Sequence, residues 1–234
     1  MSTESEAARI RPYAPRDREA VRTICCDTAD RGEPVESFFP DREVFADLLT
    51  AYYTDYEPES SWVGEVGGEV IGYLTGCLNT RRFLRVTAFS VAPRILIKAI
   101  RRDVLKYPQA KQFVRSNLGL WLRGAKKTVS FDEYPSHLHI NLKKGARAKG
   151  LGCELVTRFL VQAKAAGSCG VHANVREDSD RARKFFESLG FEAGGRHPVM
   201  VRDGDVLFAV TYCRSFTETI VTASPAMTNV VSLG

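Results

Sequence analysis

The sequence predicts an α/β (α+β) fold, with a mixed central sheet of about six or seven strands flanked by helices. Three observations carry that prediction. Between residues 136 and 142, apolar Leu138, Ile140 and Leu142 alternate with polar neighbours, the period of a half-buried strand. After Gly150-Leu151-Gly152, the residues Leu155, Val156, Phe159, Leu160 and Ala163 recur at helical spacing and leave one stripe to bury. Upstream, the strand-like runs 62–66 and 70–74 flank Gly67-Gly68, a hairpin signal. At 234 residues the chain suffices for one domain with a substantial core.

Taken in order, residues 9–13 read as a first strand. Pro15-Arg16-Asp17 opens a helix carrying Ala20, Val21, Ile24 and Cys25, because proline suits a first helical turn. Val44, Phe45, Leu48, Leu49 and Tyr52 define a second helix, followed by an aromatic, acidic turn over 53–59. The hairpin then supplies the second and third strands. Residues 81–130 read as a helical insert: Leu96, Ile100 and Val104 form one stripe, with Ile97 and Leu105 alongside. A further helix spans 109–121, with Phe113, Val114, Leu118 and Trp121 apolar. The fourth strand and its helix follow, then a fifth strand at 170–175 and a helix before Gly190-Phe191. A closing hairpin pairs 199–201 with 206–213 across Asp203-Gly204. From 217 onward, small polar residues without periodicity read as a loose tail, so one domain over 1–216 is expected.

The unit from 136 to 163 has the makings of an anion site. A helix N-terminus presents unpaired N–H groups and partial positive charge. Glycines at 150 and 152 admit a phosphate to the main chain, and Arg147 and Lys149 add full charges. The spacing is that of neither the dinucleotide fingerprint nor the P-loop. Arg147-Ala148-Lys149-Gly150-Leu151-Gly152 does resemble the acetyl-CoA signature of the GCN5-related N-acetyltransferase (GNAT) superfamily, Gln/Arg-x-x-Gly-x-Gly/Ala. The later Ala182-Arg183-Lys184-Phe185-Phe186-Glu187-Ser188-Leu189-Gly190-Phe191 is similar to that superfamily's second motif, in the right order and at about the right distance.

The resemblance implies the GNAT fold, with its β-α-α-β-β-β-α-β-α-β-β order, and acetyl-CoA as co-substrate without a metal. The pyrophosphate would lie on the 147–152 turn and Cys153. The backbone of Ile140, Asn141 and Leu142 would pair the pantetheine amides in a splay beyond the fourth strand. An amine acceptor attacks the thioester, and a base must first take the proton an ammonium carries. His137 and His139 share one face of the fourth strand, opposite Leu138 and Ile140, and are the candidate bases. Asp132 and Glu133 are the carboxylate alternatives. The wording His-Leu-His-Ile also looks like the acetyltransferase-like domain found with some O-GlcNAc hydrolases, which has members of doubtful catalysis.

Two departures from the motifs matter. Many members place a tyrosine at the position of Phe186 to protonate the leaving thiolate; a thiol pKa near 8.5 lets it leave without that acid. Ser179 stands where an asparagine commonly meets the cofactor, and its hydroxyl replaces only one of the amide's hydrogen bonds. Cys153 would be either an activated thiol in the first helical turn or a small apolar residue packed behind it.

Charge is unevenly distributed. Residues 81–127 hold 13 basic side chains against one acid, Asp103, whereas residues 1–80 hold 7 basic and 16 acidic ones. The insert therefore reads in three ways: a lid over the acceptor cleft, a docking element for nucleic acid, membrane or an acidic partner, or a counterweight to the acidic remainder. The acidic aromatic stretch 52–59 would favour a cationic amine. The 6 cysteines and 4 histidines show no metal-ligand spacing. No apolar run approaches the roughly eighteen residues of a membrane span, and the first residues are polar, so a reduced, cytoplasmic setting is expected. The expected activity is acetyl-CoA-dependent N-acetyl transfer to an amine of a small molecule or protein, and the resemblance implies a homodimer paired through the last strands as one form of it. The alternative is a non-catalytic acetyl-CoA-binding or partner-binding module.

Overall fold

A computed structural model of the chain describes residues 8–30, 32–122, 129–146, 150–202 and 205–216. Arg147, Ala148, Lys149, the Asp203-Gly204 turn and the expected tail from 217 lie outside the described residues.

Seven strands form one mixed sheet in the order β1-β2-β3-β4-β5-β7-β6. They are β1 (Arg9–Pro12), β2 (Ser61–Val66), β3 (Glu69–Cys77), β4 (Ser136–Leu142), β5 (Gly170–Arg176), β6 (Glu192–Arg202) and β7 (Asp205–Ser215). All neighbours are antiparallel except β4 and β5. The last hairpin is longer than expected. β6 begins at Glu192 rather than 199, because irregular register between Ala193 and Arg196 and between Pro198 and Met200 hides its alternation.

Alternation assigns the two faces. Tyr73 and Val63 face α1 (Arg18–Asp27) and α2 (Arg42–Asp55), in a core with Ile24 and Phe45. Leu74, Leu138 and Val171 face α6 (Leu151–Ala165), whose Leu155, Val156 and Phe159 are fully covered. The helix α7 (Asp180–Ser188) adds Phe186 to that same core. Asp41 caps α2 by accepting from the Val44 N–H at 2.9 Å. α2 runs on through Tyr53, so the expected turn there begins only at Tyr56.

The insert is helical, as α3 (Thr80–Val86), α4 (Ala92–Arg101) and α5 (Pro108–Leu122), but its expected stripe is not the buried one. A wide π turn over Thr87–Val91 joins α3 to α4. Phe83 and Val86 face α2 before it, and Val91, Ile95 and Ala99 after it. The extra residue rotates the helix, so Leu96 and Ile100 point outward while Val104 is covered. Much of the insert's charge is matched within the chain. Lys98 pairs with Asp47, Arg102 with Asp41 at 2.7 Å, Arg82 with Glu57 at 3.4 Å and Arg81 with Asp132 at 2.9 Å. The counterweight reading thus describes these contacts, and Phe83, beside the β4 histidines, also gives the insert a place on the wall of the cleft.

Candidate active site

β4 and β5 pair only at Ser136↔Val171 and His137↔His172. From Leu138 onward, the β5-facing edge of β4 has no strand partner, while its other edge stays paired with β3 as far as Leu142. The strands therefore part in a wedge whose β4 side is the backbone of Leu138 to Leu142. Two further features meet this edge. Gly150 precedes α6 with φ +76°, in the left-handed region, and a Cβ there would meet nothing within 4 Å. The first turn of α6 follows at Leu151, Gly152 and Cys153. Gly152 serves packing on its other side: a Cβ would lie 3.2 Å from Phe185 and 3.3 Å from Leu142, so its missing side chain lets the helix start close against β4.

On the opposite face of β4 stand the histidines. His137 is buried, and its Nε2 lies 2.8 Å from the Tyr53 hydroxyl and its Nδ1 2.8 Å from Thr80 Oγ1. Thr80 donates its own proton to the Pro135 carbonyl at 2.8 Å, so it accepts from His137 Nδ1–H, and Tyr53 donates to Nε2. Both ring nitrogens are committed in the neutral form. Burial, with like charge on His139 and His172 second, holds the His137 imidazole well below its ordinary pKa. His172 is also buried and donates from Nδ1 to the Tyr134 carbonyl at 3.0 Å. Desolvation lowers its pKa as well.

His139 differs. Its ring packs edge-on to Tyr53 at 5.8 Å and to His137 at 5.9 Å, yet the residue is solvent-exposed. It has no hydrogen-bond partner among the described residues. The ring is thus crowded by Tyr53 and His137 on one side while the residue stays open to solvent. Desolvation by that crowding, then His172, pushes its imidazole down to about 4. At neutral pH it is an unprotonated base with a lone pair open to the cleft.

Residues 128–191 match the model of the acetyltransferase (GNAT) family. The chain is similar to the crystal structure of SsHAT, at 29% identity over 91% of this chain and 100% of that one, with a TM-score of 0.69. It also resembles an N-acetyltransferase from Staphylococcus aureus Mu50 (18% identity, 89% and 98% covered, TM-score 0.55). The yncA protein of Salmonella typhimurium, solved with its cofactor acetyl-CoA, aligns at 16% identity over 94% of this chain and 99% of that one, TM-score 0.54. The fold is the GNAT fold. Among curated proteins, Protein O-GlcNAcase of Rattus norvegicus is 24% identical over 81% of this chain, and that of Mus musculus is equally similar. The chain spans about a fifth of the length of these relatives, covering 20% of each.

Within this GNAT fold the predicted residues sort by place. Ile140, Asn141 and Leu142 lie along the free edge of β4, with Asn141 Nδ2 donating to the Tyr73 hydroxyl at 2.9 Å. Cys153 is exposed in the first turn of α6, which overturns the reading of a thiol packed behind that turn. Ser179 is the residue before α7 and makes no side-chain cap. Phe186 is turned into the core, 5.2 Å from Phe191 and 6.3 Å from Tyr212, so its ring is not a cofactor-facing group; Phe185 is the ring that reaches Gly152. Asp132 is bound to Arg81. Two of the three carboxylates of the acidic stretch are engaged within the chain, while Glu59 is exposed. Glu57 is buried and accepts from Tyr52, Ser60 and the Leu78 N–H at 2.6, 2.9 and 2.7 Å, and Asp55 pairs with Arg18.

Sequence reasoning missed Tyr53, Thr80, Phe83 and His172 as partners of the β4 histidines. Helical spacing from Leu49 to Tyr53 would have extended α2 to the first. Nothing local to the others signals the contact, which spans 57 residues for Thr80 and His137.

Proposed function

We propose that the chain is an acetyl-CoA-dependent N-acetyltransferase that passes an acetyl group to an amine of a small molecule or protein. One observation carries the reading: β4 and β5 part at Leu138, and His139, the open imidazole, stands at the mouth of that parting. Bound there, acetyl-CoA supplies an activated thioester. The free edge at Ile140, Asn141 and Leu142 pairs its amides, and a main-chain N–H of this stretch polarises the carbonyl. The start of α6, from Gly150 to Cys153, takes the pyrophosphate together with Arg147, Ala148 and Lys149. His139 takes the proton from the ammonium acceptor. The neutral nitrogen then bonds to the acetyl carbon as the C–S bond breaks and the sulfur departs as a thiolate. The proton left on the acylated nitrogen passes through solvent to that thiolate, and His139 returns its own proton to solvent. His137 and Tyr53 hold the His139 ring in place through their edge contacts.

Thermal unfolding with acetyl-CoA, CoA and ATP tests the site. Acetyl-CoA and CoA at a hundred times Kd should each add about 2.7 kcal/mol, and ATP nothing. Gly150→Glu, which sets a carboxylate in the phosphate turn, should remove the gain. On a panel of amines, His139→Ala should lower kcat about a hundredfold while keeping the stabilisation by acetyl-CoA. No stabilisation by acetyl-CoA overturns the site. Unchanged turnover in His139→Ala overturns the base.

A further inference from the structure

The outward face of α4 is apolar and has no covering partner among the described residues. Phe89 is 82% exposed, Leu96 55%, Ile97 50% and Ile100 59%, values that mark a continuous row rather than scattered side chains. They recur at seven-, one- and three-residue steps, which on a helix is a single face. The opposite face is fixed by Val91, Ile95 and Ala99, and by the Lys98–Asp47 and Arg102–Asp41 pairs, so the row cannot turn inward without breaking them. The π turn sets this outcome. It places Val91 on the buried side and Phe89 on the outer one.

The charge around the row is of one sign. From Arg81 to Arg102 there are 7 basic residues and no acid. Arg85 stands one turn before Phe89, and Arg94 and Arg101 flank Ile97. None of these three has an acidic partner among the described residues, although the Arg94 guanidinium lies over the Tyr56 ring, 5.7 Å from its centre. Two copies of this face brought together would set like charge on like charge, which disfavours self-pairing.

We infer that the α4 face, Phe89, Leu96, Ile97 and Ile100 with Arg85, Arg94 and Arg101 at its margins, docks the protein on an anionic lipid surface. The apolar row enters the boundary between headgroups and acyl chains, and the guanidinium groups meet the phosphates. No helix among the described residues is long and apolar enough to cross a membrane, so the contact is peripheral. The same insert carries Phe83, 4.8 Å from His137, so docking holds one wall of the histidine cleft at the interface. This surface is independent of acetyl transfer and is read without acetyl-CoA.

The test is co-sedimentation of the full chain with vesicles of phosphatidylcholine alone and of phosphatidylcholine mixed with phosphatidylglycerol. The chain should bind the anionic vesicles only, less so as salt rises. Phe89→Ser with Ile100→Ser should weaken partitioning about tenfold or more, and Arg85→Gln, Arg94→Gln, Arg101→Gln should remove the preference for anionic lipid. Unchanged unfolding midpoints show that these exposed substitutions leave the fold intact. Absence of binding to anionic vesicles at low salt overturns the inference, as does binding indifferent to the apolar pair. So does a lipid-free dimer, or retention on nucleic acid, that depends on the same apolar residues.

Discussion

At the scale of single residues, the site turns on three imidazoles with different freedoms. His137 spends both nitrogens on Tyr53 and Thr80, and His172 spends one on Tyr134, whereas His139 keeps a side open. Adjacent positions on one strand face thus separate into a scaffold and a reactive group. The buried pair should also mark the pH dependence of stability. Their native pKa values lie below the unfolded value near 6.5, so the unfolded chain binds more protons as pH falls through that value. Stability is full above pH 7 and falls from about 6.5 toward the depressed native values, by roughly 1.4 kcal/mol per pH unit for each histidine. Asp17 and Asp47, whose pKa values are lowered by Arg11 and by Lys98 with Arg22 against the cost of burial, act only at more acid pH, below their ordinary range. His139, whose pKa is likewise lowered to about 4, adds to the same loss. Urea unfolding at pH 7 and 5.5 should show it, and His137→Asn should remove about a third of it. Equal stability at both values would refute this account.

At the scale of elements, glycine decides how closely α6 approaches the sheet. A Cβ on Gly76 would lie 2.2 Å from the Phe159 ring and 2.5 Å from the Ser60 carbonyl, and one on Gly64 would lie 2.7 Å from Leu151. Backbone on one side and a fully buried ring on the other leave Gly76 no relief. Gly76→Ala should therefore cost about 2–3 kcal/mol in urea unfolding. Gly145→Ala, with nothing within 4 Å, should be close to neutral. A second element-scale device is the π turn, which re-aims the insert helix by one residue. Deleting the extra residue would restore the stripe that simple periodicity predicts and turn Leu96 and Ile100 toward α2.

At the scale of the whole molecule, solvent access to the thiols reports the assembled fold. Of the 6 cysteines, Cys153 and Cys169 are exposed, and Cys25, Cys26, Cys77 and Cys213 are buried. Burial pushes Cys25 up to about 12, and Cys26 and Cys213 up to about 11, which suppresses their thiolates further. A thiol reagent should therefore modify two sites quickly in the native chain and all of them in urea, read by mass spectrometry. CoA should slow Cys153 and leave Cys169 unchanged, because only the first lies in the opening turn of α6. Equal protection of both by CoA would place the ligand elsewhere.

Much of this was legible in the chain itself. Alternation at 136–142, helical spacing from Leu155 to Ala163 and the Gly67-Gly68 hairpin are local patterns. They depend only on where a residue's own backbone sends its side chain. They define the strands, the order of the elements and the glycine turn before α6, together with a common face for His137 and His139. Tertiary structure decided the rest. Whether His137 or His139 is open depends on Tyr53 and Thr80, brought from 84 and 57 residues away. Phe186 went to the core because β7 supplies Tyr212 beside it, and Glu57 was consumed by Tyr52, Ser60 and Leu78 where three elements converge. The sequence by itself determined which side chains share a face. What lies opposite that face, and hence which group remains free to react or to meet a partner, is a property of long-range packing and was settled only by the fold.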